Sequence, residues 1–349
     1  MRPGCDTYPV FTDSLIGSLA SVGAALCWVL TALSFAAAGR QVGSAIVNTS
    51  RLIMAVIIIF LIHQAVIGSW WPEMSWESMA WLAASGIIGL GIGDQLCFQA
   101  LVDVGSRITT LLLTLAPPIT AIMAWPILDE TLGIVSVIGM AVTLTGIAWV
   151  VSEGGDSEAE ESGTSKQRHP RRGILFASGA GIAQALGLIL AKLGMGDQDA
   201  MDPWSATLMR LVFGTGTAIL LLMAIRWFAR QGDPPVREKG RIAIAWLLIL
   251  IGAIFGPVLG VWLSLVGIDR IEAGIAATLM SLSPVFIIPF ASWIEKDRVT
   301  RRAILGALVS VIGVAILAYG LSRQGEKDIA ESTAPAQASS TSFEPGWTS

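Results

Sequence analysis

The chain of 349 residues is 54% hydrophobic and only 14% charged, with a mean hydropathy of +0.69. A soluble domain carries about a quarter charged residues, so a core of its own cannot hide this much apolar side chain, and lipid must be its solvent. The formal charge of −4 falls mostly on a linker and two tails, which leaves no basic surface for nucleic acid.

The apolar stretch from Leu15 to Ala38 follows a basic region of Arg2 alone and is long enough to span a bilayer, so it reads as a transmembrane helix and not as a signal peptide. About 20 predominantly apolar residues are needed to cross the hydrocarbon core. Ten stretches qualify: 15–38, 46–67, 77–101, 106–127, 132–151, 174–193, 204–228, 242–266, 272–293 and 301–321. The expected organisation is a tail (1–14), a five-helix unit (15–151), a charged linker (152–173), a second five-helix unit (174–321) and a disordered Ser/Thr/Ala/Pro-rich tail (322–349).

The two units are related by sequence. An offset of 167 residues aligns Pro117 with Pro284, Glu130 with Asp297, Gly139 with Gly306 and Gly146 with Gly313. Arg51 and Arg210 each stand about six residues into the second helix of their unit. An odd number of helices per unit forces the second copy to insert upside down, so the fold class is an all-α polytopic membrane protein of two inverted five-helix repeats, a hallmark of secondary transporters. Prolines at matched positions suggest bends lining a central pathway, or kinks packed inside the bundle.

Lys and Arg favour the cytoplasmic side. The odd-numbered connections hold 15 of them, against 4 in the termini and even-numbered connections. The linker is therefore expected in the cytoplasm of a plasma membrane, with both termini outside.

Charged groups inside a membrane helix cost about 2.5–3.5 kcal/mol on insertion scales and are functional candidates. Asp94 in "GIGDQLCFQAL" is the sharpest, with Gln95 and Gln99 forming a neighbouring polar stripe. It could bind a cationic substrate group or a coupling proton, or it could make an ion pair or cap bond near the membrane edge. For Arg51 and Arg210, snorkelling to the interface is the first reading and engagement of an anionic substrate group or Asp94 the second. Lys192 is expected at the interface. Gln184, aligned with Trp28 in the first helix of each unit, could hydrogen-bond or stack with substrate, and Trp28 could equally be a packing residue.

"GIIGLGIGD" (86–94) has no preceding strand and is not a nucleotide loop; its glycines let helices approach closely. His63 and His169 lie far apart, and Cys5, Cys27 and Cys97 are too few and scattered for a disulfide framework or thiolate site. No metal, cofactor or enzymatic constellation is expected.

The segments "LAPPITAIMAWPILDETLGIVSVIGMAVTLTGIAWV" and "LSPVFIIPFASWIEKDRVTRRAILGALVSVIGVAIL" resemble the fourth-to-fifth helix signature of the drug/metabolite transporter superfamily, EamA-type. "GDQLCFQAL", Arg51 and Arg210 also match family positions, over roughly residues 15–320. The resemblance implies a carrier of a small metabolite, amino acid or amphipathic compound. It also implies both termini inside, against the charge count. Where the family has a Gly-Glu pair, this chain has Asp129-Glu130 and Lys296-Asp297, with Glu130 and Asp297 as structural turn residues at the positive end of the following helix. The expected partners are a small-molecule substrate, the bilayer, a proton as coupling ion and a second copy in a homodimer. The rivals are a non-transporting membrane sensor and an intramembrane lipid-modifying enzyme.

Overall fold

The computed structural model describes residues 7–42, 44–153, 170–196, 201–229, 239–286 and 301–333, and every regular element among them is helical. Among the described residues seven helices are long and apolar enough to cross a membrane, and three shorter apolar helices, Ala116–Leu128, Ala273–Phe286 and Ile304–Gly320, stand where the other three expected spans fall.

The first half comprises α1 (Thr7–Val42), α2 (Ser44–Ile67), α3 (Trp76–Ser85), a π-helical stretch (Gly86–Gly93), α4 (Asp94–Leu113), α5 (Ala116–Leu128) and α6 (Ile134–Glu153). The second comprises α7 (Pro170–Met195), α8 (Pro203–Ala229), α9 (Lys239–Ala253), a π-helical stretch (Ile254–Gly260), α10 (Val261–Arg270), α11 (Ala273–Met280) and α12 (Arg301–Thr333). Local chemistry sets several starts. Ser75 caps α3 by accepting from Ser78 N–H at 3.0 Å. Asp202 does the same for α8 through Ser205 N–H at 3.0 Å. Pro170 opens α7, where a missing N–H leaves nothing unsatisfied.

Three boundaries differ from expectation. Helix continues through the expected connection at 102–105, and the break falls at Thr114–Leu115, just before the prolines. Pro117 and Pro118 therefore sit in the first turn of α5, where they fit, and do not bend a helix interior. The C-terminal tail, expected disordered from 322, is helical to Thr333, because "RQGEKDIAES" is rich in helix formers.

The packing repeats at the offsets seen in sequence. Breaks at 114–115 and 281–282 lie 167 residues apart. Each is closed by a short-range bond, Leu115 N–H to Leu112 O (3.1 Å) and Leu282 N–H to Leu279 O (3.2 Å). Gly93 and Gly260, which end the π-helical stretches, are again 167 residues apart. Gly17 of α1 lies against Arg270 and Ile271, as Gly173 of α7 lies against Asp103 and Val104.

α6 and α12 run antiparallel along the glycine ladder: Gly139 meets Leu317, Thr143 meets Gly313, Gly146 meets Ser310 and Val150 meets Gly306. Shifting the first pair by the offset gives the last, and the second gives the third. No side chain could stand at Gly139 or Gly313 without striking the partner backbone.

Candidate functional site

Asp94 follows directly on the π-helical stretch, and its N–H donates back to Gly89 O. Such wide turns recur at functional sites. Arg51 of α2 reaches across, and its Nη2 donates to Asp94 Oδ2. Its Nε donates to Asn48 Oδ1 at 3.1 Å, and Asn48 Nδ2 donates to Gln95 Oε1 at 3.3 Å. The guanidinium lies 5.3 Å from the Phe35 ring centroid and 5.1 Å from that of Phe98, so its charge meets two π faces as well as a carboxylate. The Arg51 and Asp94 side chains retain 10% and 19% exposure.

Arg210 of α8 is buried to 4% exposure, and its Nε and Nη1 have no hydrogen-bond partner among the described residues. Its backbone carbonyl packs against Gly86, and its Nη2 lies 3.7 Å from where a Cβ on Gly89 would stand. Asp94 is within its electrostatic reach. Snorkelling, the first expectation for both arginines, is thus corrected: both point inward. Each sits near a helix entrance in sequence, yet α2 packs on α8, and α8 packs on the Gly86–Gly93 stretch, so the bundle is the shorter path.

Other candidates fall elsewhere. Gln99 donates to Asp103 at 3.3 Å, and Asp103 is held by both Nε (2.8 Å) and Nη2 (2.7 Å) of Arg172. Trp28 packs its indole against Gly260. Gln184 is exposed and Pro117 buried, while Pro284 is half-buried. His63 is fully buried and bridges Ser69 O at 2.8 Å and Ser205 Oγ at 3.0 Å. Asp297 and His169 lie outside the described residues.

Glu130 turns its carboxylate toward the other half of the chain. It accepts from Ala273 N–H at 2.8 Å, at the start of α11, and pairs with Lys192 at 2.6 Å. The expectation that it serves the following helix is corrected: the left-handed turn at Asp129 (φ 52°) aims it across the bundle. Lys192, expected at the interface, also donates to Ile271 O at 2.9 Å.

Sequence reasoning missed Asn48, Asp103 and Arg172. Asn48 stands one turn before Arg51 on the same face, and Asp103 one turn after Gln99, so both spacings carried a signal. By position alone Arg172 is one more linker charge.

A model of the EamA-like transporter family matches residues 15–152 and 171–319. The chain belongs to that family. A Clostridium kluyveri protein named an uncharacterized transporter is 27% identical over 150 residues, which is 42% of this chain and 44% of that protein. The chain thus spans less than half the length of that relative. A solved crystal structure matches with a TM-score of 0.69 and 17% identity over 88% of this chain and 98% of its own, a likeness of fold. Together with its long apolar helices, this membership makes the chain a multi-pass membrane protein of that family.

Proposed function

We propose that the protein is a secondary-active carrier for a small metabolite, amino acid or amphipathic compound, exporting it across the plasma membrane by alternating access. Ten spans form two inverted five-helix repeats. The reciprocal α6–α12 pairing supports this architecture, since antiparallel helices exchanged by a two-fold axis require that axis to lie in the membrane plane. The charge bias of 15 against 4 favours a cytoplasmic linker and outside termini. A fluorescent protein fused after Ser349 should stay dark and alkaline phosphatase there should be active; the reverse would restore the family's usual topology.

The observation that carries the mechanism is a part-exposed carboxylate, Asp94, held by a buried arginine inside the helical bundle. A proton arriving on Asp94 cancels its charge and releases Arg51, so one event changes both the polarity of the site and the contact between α2 and α4. The pairs Asp103–Arg172 and Asp13–Arg270, the latter at 2.7 Å, tie the repeated helix interfaces at opposite ends of the bundle. Opening toward either side has to break one of them.

Proteoliposomes carrying a pH dye, screened against amino acids and amphipathic amines, provide the test. Asp94→Asn should insert normally, lose gradient-driven flux and keep exchange of labelled substrate. Wild-type flux with unchanged pH dependence in that variant would end the coupling role.

A further inference from the structure

The two halves match in backbone but not in charge. In the first half the helix-two arginine, Arg51, has its acid in Asp94, the residue after the π-helical stretch. In the second half the arginine is kept at Arg210, yet the residue after the π-helical stretch, 167 positions on, is Val261. Arg210 reaches instead toward Gly89 of the first half, with Nε and Nη1 unpartnered.

The interior cluster of Arg51, Asp94 and Arg210 therefore carries one cation more than it balances. A desolvated guanidinium with open donors is costly unless an anion completes it. Gly89 and Gly187 meet backbone to backbone beside it, and neither carries a side chain that could pair with the guanidinium. A guanidinium fork matches a carboxylate by two parallel N–H···O bonds.

We infer that Arg210 binds the carboxylate of the transported solute, which stands in for the acid that the second half lacks. The site takes a monoanionic carboxylate, and a zwitterion with its ammonium group toward Asp94 satisfies both charges. The inference rests on the carrier reading for its word "transported"; binding itself does not depend on it.

The test uses the purified full chain in nanodiscs, read by thermal unfolding and tryptophan fluorescence, with four probes: phenylacetate, L-phenylalanine, phenethylamine and inorganic phosphate. Phenylacetate and L-phenylalanine should bind and raise the unfolding midpoint; phenethylamine, which lacks the carboxylate, should not. Arg210→Gln should weaken the two carboxylates by about tenfold to a hundredfold, and Arg210→Lys by less. Without ligand, Arg210→Gln should unfold at or above the wild-type midpoint, because it removes an uncompensated charge. An arginine that merely props up the fold would lower that midpoint. Equal carboxylate binding by wild type and Arg210→Gln, no binding by either, or tighter binding of phosphate than of both carboxylates overturns the site. Carboxylate binding through Arg210 without flux in proteoliposomes would sink the carrier reading and leave the site standing. Flux that survives in Arg210→Gln would do the opposite.

Discussion

The π-helical stretches Gly86–Gly93 and Ile254–Gly260 end against the same kind of neighbour, a first helix of the other half, and both carry glycines at the contact. Beyond them the halves part. Asp94 and Gln95 continue the first into a polar cluster with Asn48 and Arg51. Val261 and Trp262 continue the second into an apolar one, where Val261 joins the core cluster that holds Leu208 and Leu211 and Trp262 stacks on Trp204 at 4.3 Å. The backbone packing repeats between the halves while the residues that follow the two stretches do not. The proposed carboxylate site rests on that difference: a cluster made twice would be symmetric and neutral, whereas Arg51, Asp94 and Arg210 form a lopsided, cationic one.

The strongest way to break the comparison is to give the first half the second half's residue. Asp94→Val leaves Arg51 buried with only Asn48 and two rings around it. Removing one partner of a buried pair costs about 3–5 kcal/mol, read as a large fall in the unfolding midpoint in detergent. The double variant Arg51→Leu/Asp94→Val should recover most of that stability and none of the gradient-driven flux. A single variant as stable as wild type would mean that the pair does not form.

The converse exchange sharpens it. Val261→Asp alone should be tolerated, because Arg210 can turn to meet the new acid. In an Arg210→Leu background the same substitution should cost about 2.5–3.5 kcal/mol, the penalty for an unpaired acid at a helix centre. A double-mutant cycle without coupling between 261 and 210 would show that the halves do not correspond at this point.

A smaller effect separates contact glycines from incidental ones. Gly86→Ala drives a methyl into the backbone of Arg210 and should cost about 1–3 kcal/mol. Gly216→Ala, on the same helix as Arg210 but facing open space, should gain about 0.5–1 kcal/mol from helix propensity. Equal effects at the two positions would refute the close approach of α8 to the π-helical stretch.

Prolines and glycines are conspicuous in an apolar chain, and the offset of 167 residues that they show in sequence reappears in the packing. The sequence also singles out Asp94 in "GIGDQL", and the ion pair that is one of its two readings is made with Arg51. The direction of the arginines was not legible. Whether Arg51 and Arg210 snorkel or turn inward depends on which helices lie beside them, a long-range matter that helical position alone does not encode. The prolines misled for a related reason. Apolar runs do not show where a helix stops, so Pro117 read as a bend when it begins α5. Chain position alone assigns Glu130 to its nearest helix, whereas its carboxylate serves one 143 residues away.

The smallest expected effect lies at the turn that aims Glu130. Asp129 adopts φ 52°, the left-handed region, as the residue closing α5, where helices favour glycine. An L side chain there is strained, although Asp tolerates it better than most. The matching turn in the second half, at Lys296, lies outside the described residues, so Asp129 is where the departure from the family's Gly-Glu pair can be weighed. Asp129→Gly relieves the strain but gives the unfolded chain more freedom, and the two effects oppose each other. The net gain should be about 0.5–1 kcal/mol, with the Glu130–Lys192 pair kept. Measured by unfolding in detergent, with Lys192→Met as a second background, the gain should be the same in both. A loss of stability in Asp129→Gly would mean that the aspartate side chain itself holds the turn. A gain confined to the wild-type background would mean that the turn acts only by placing Glu130 on Lys192.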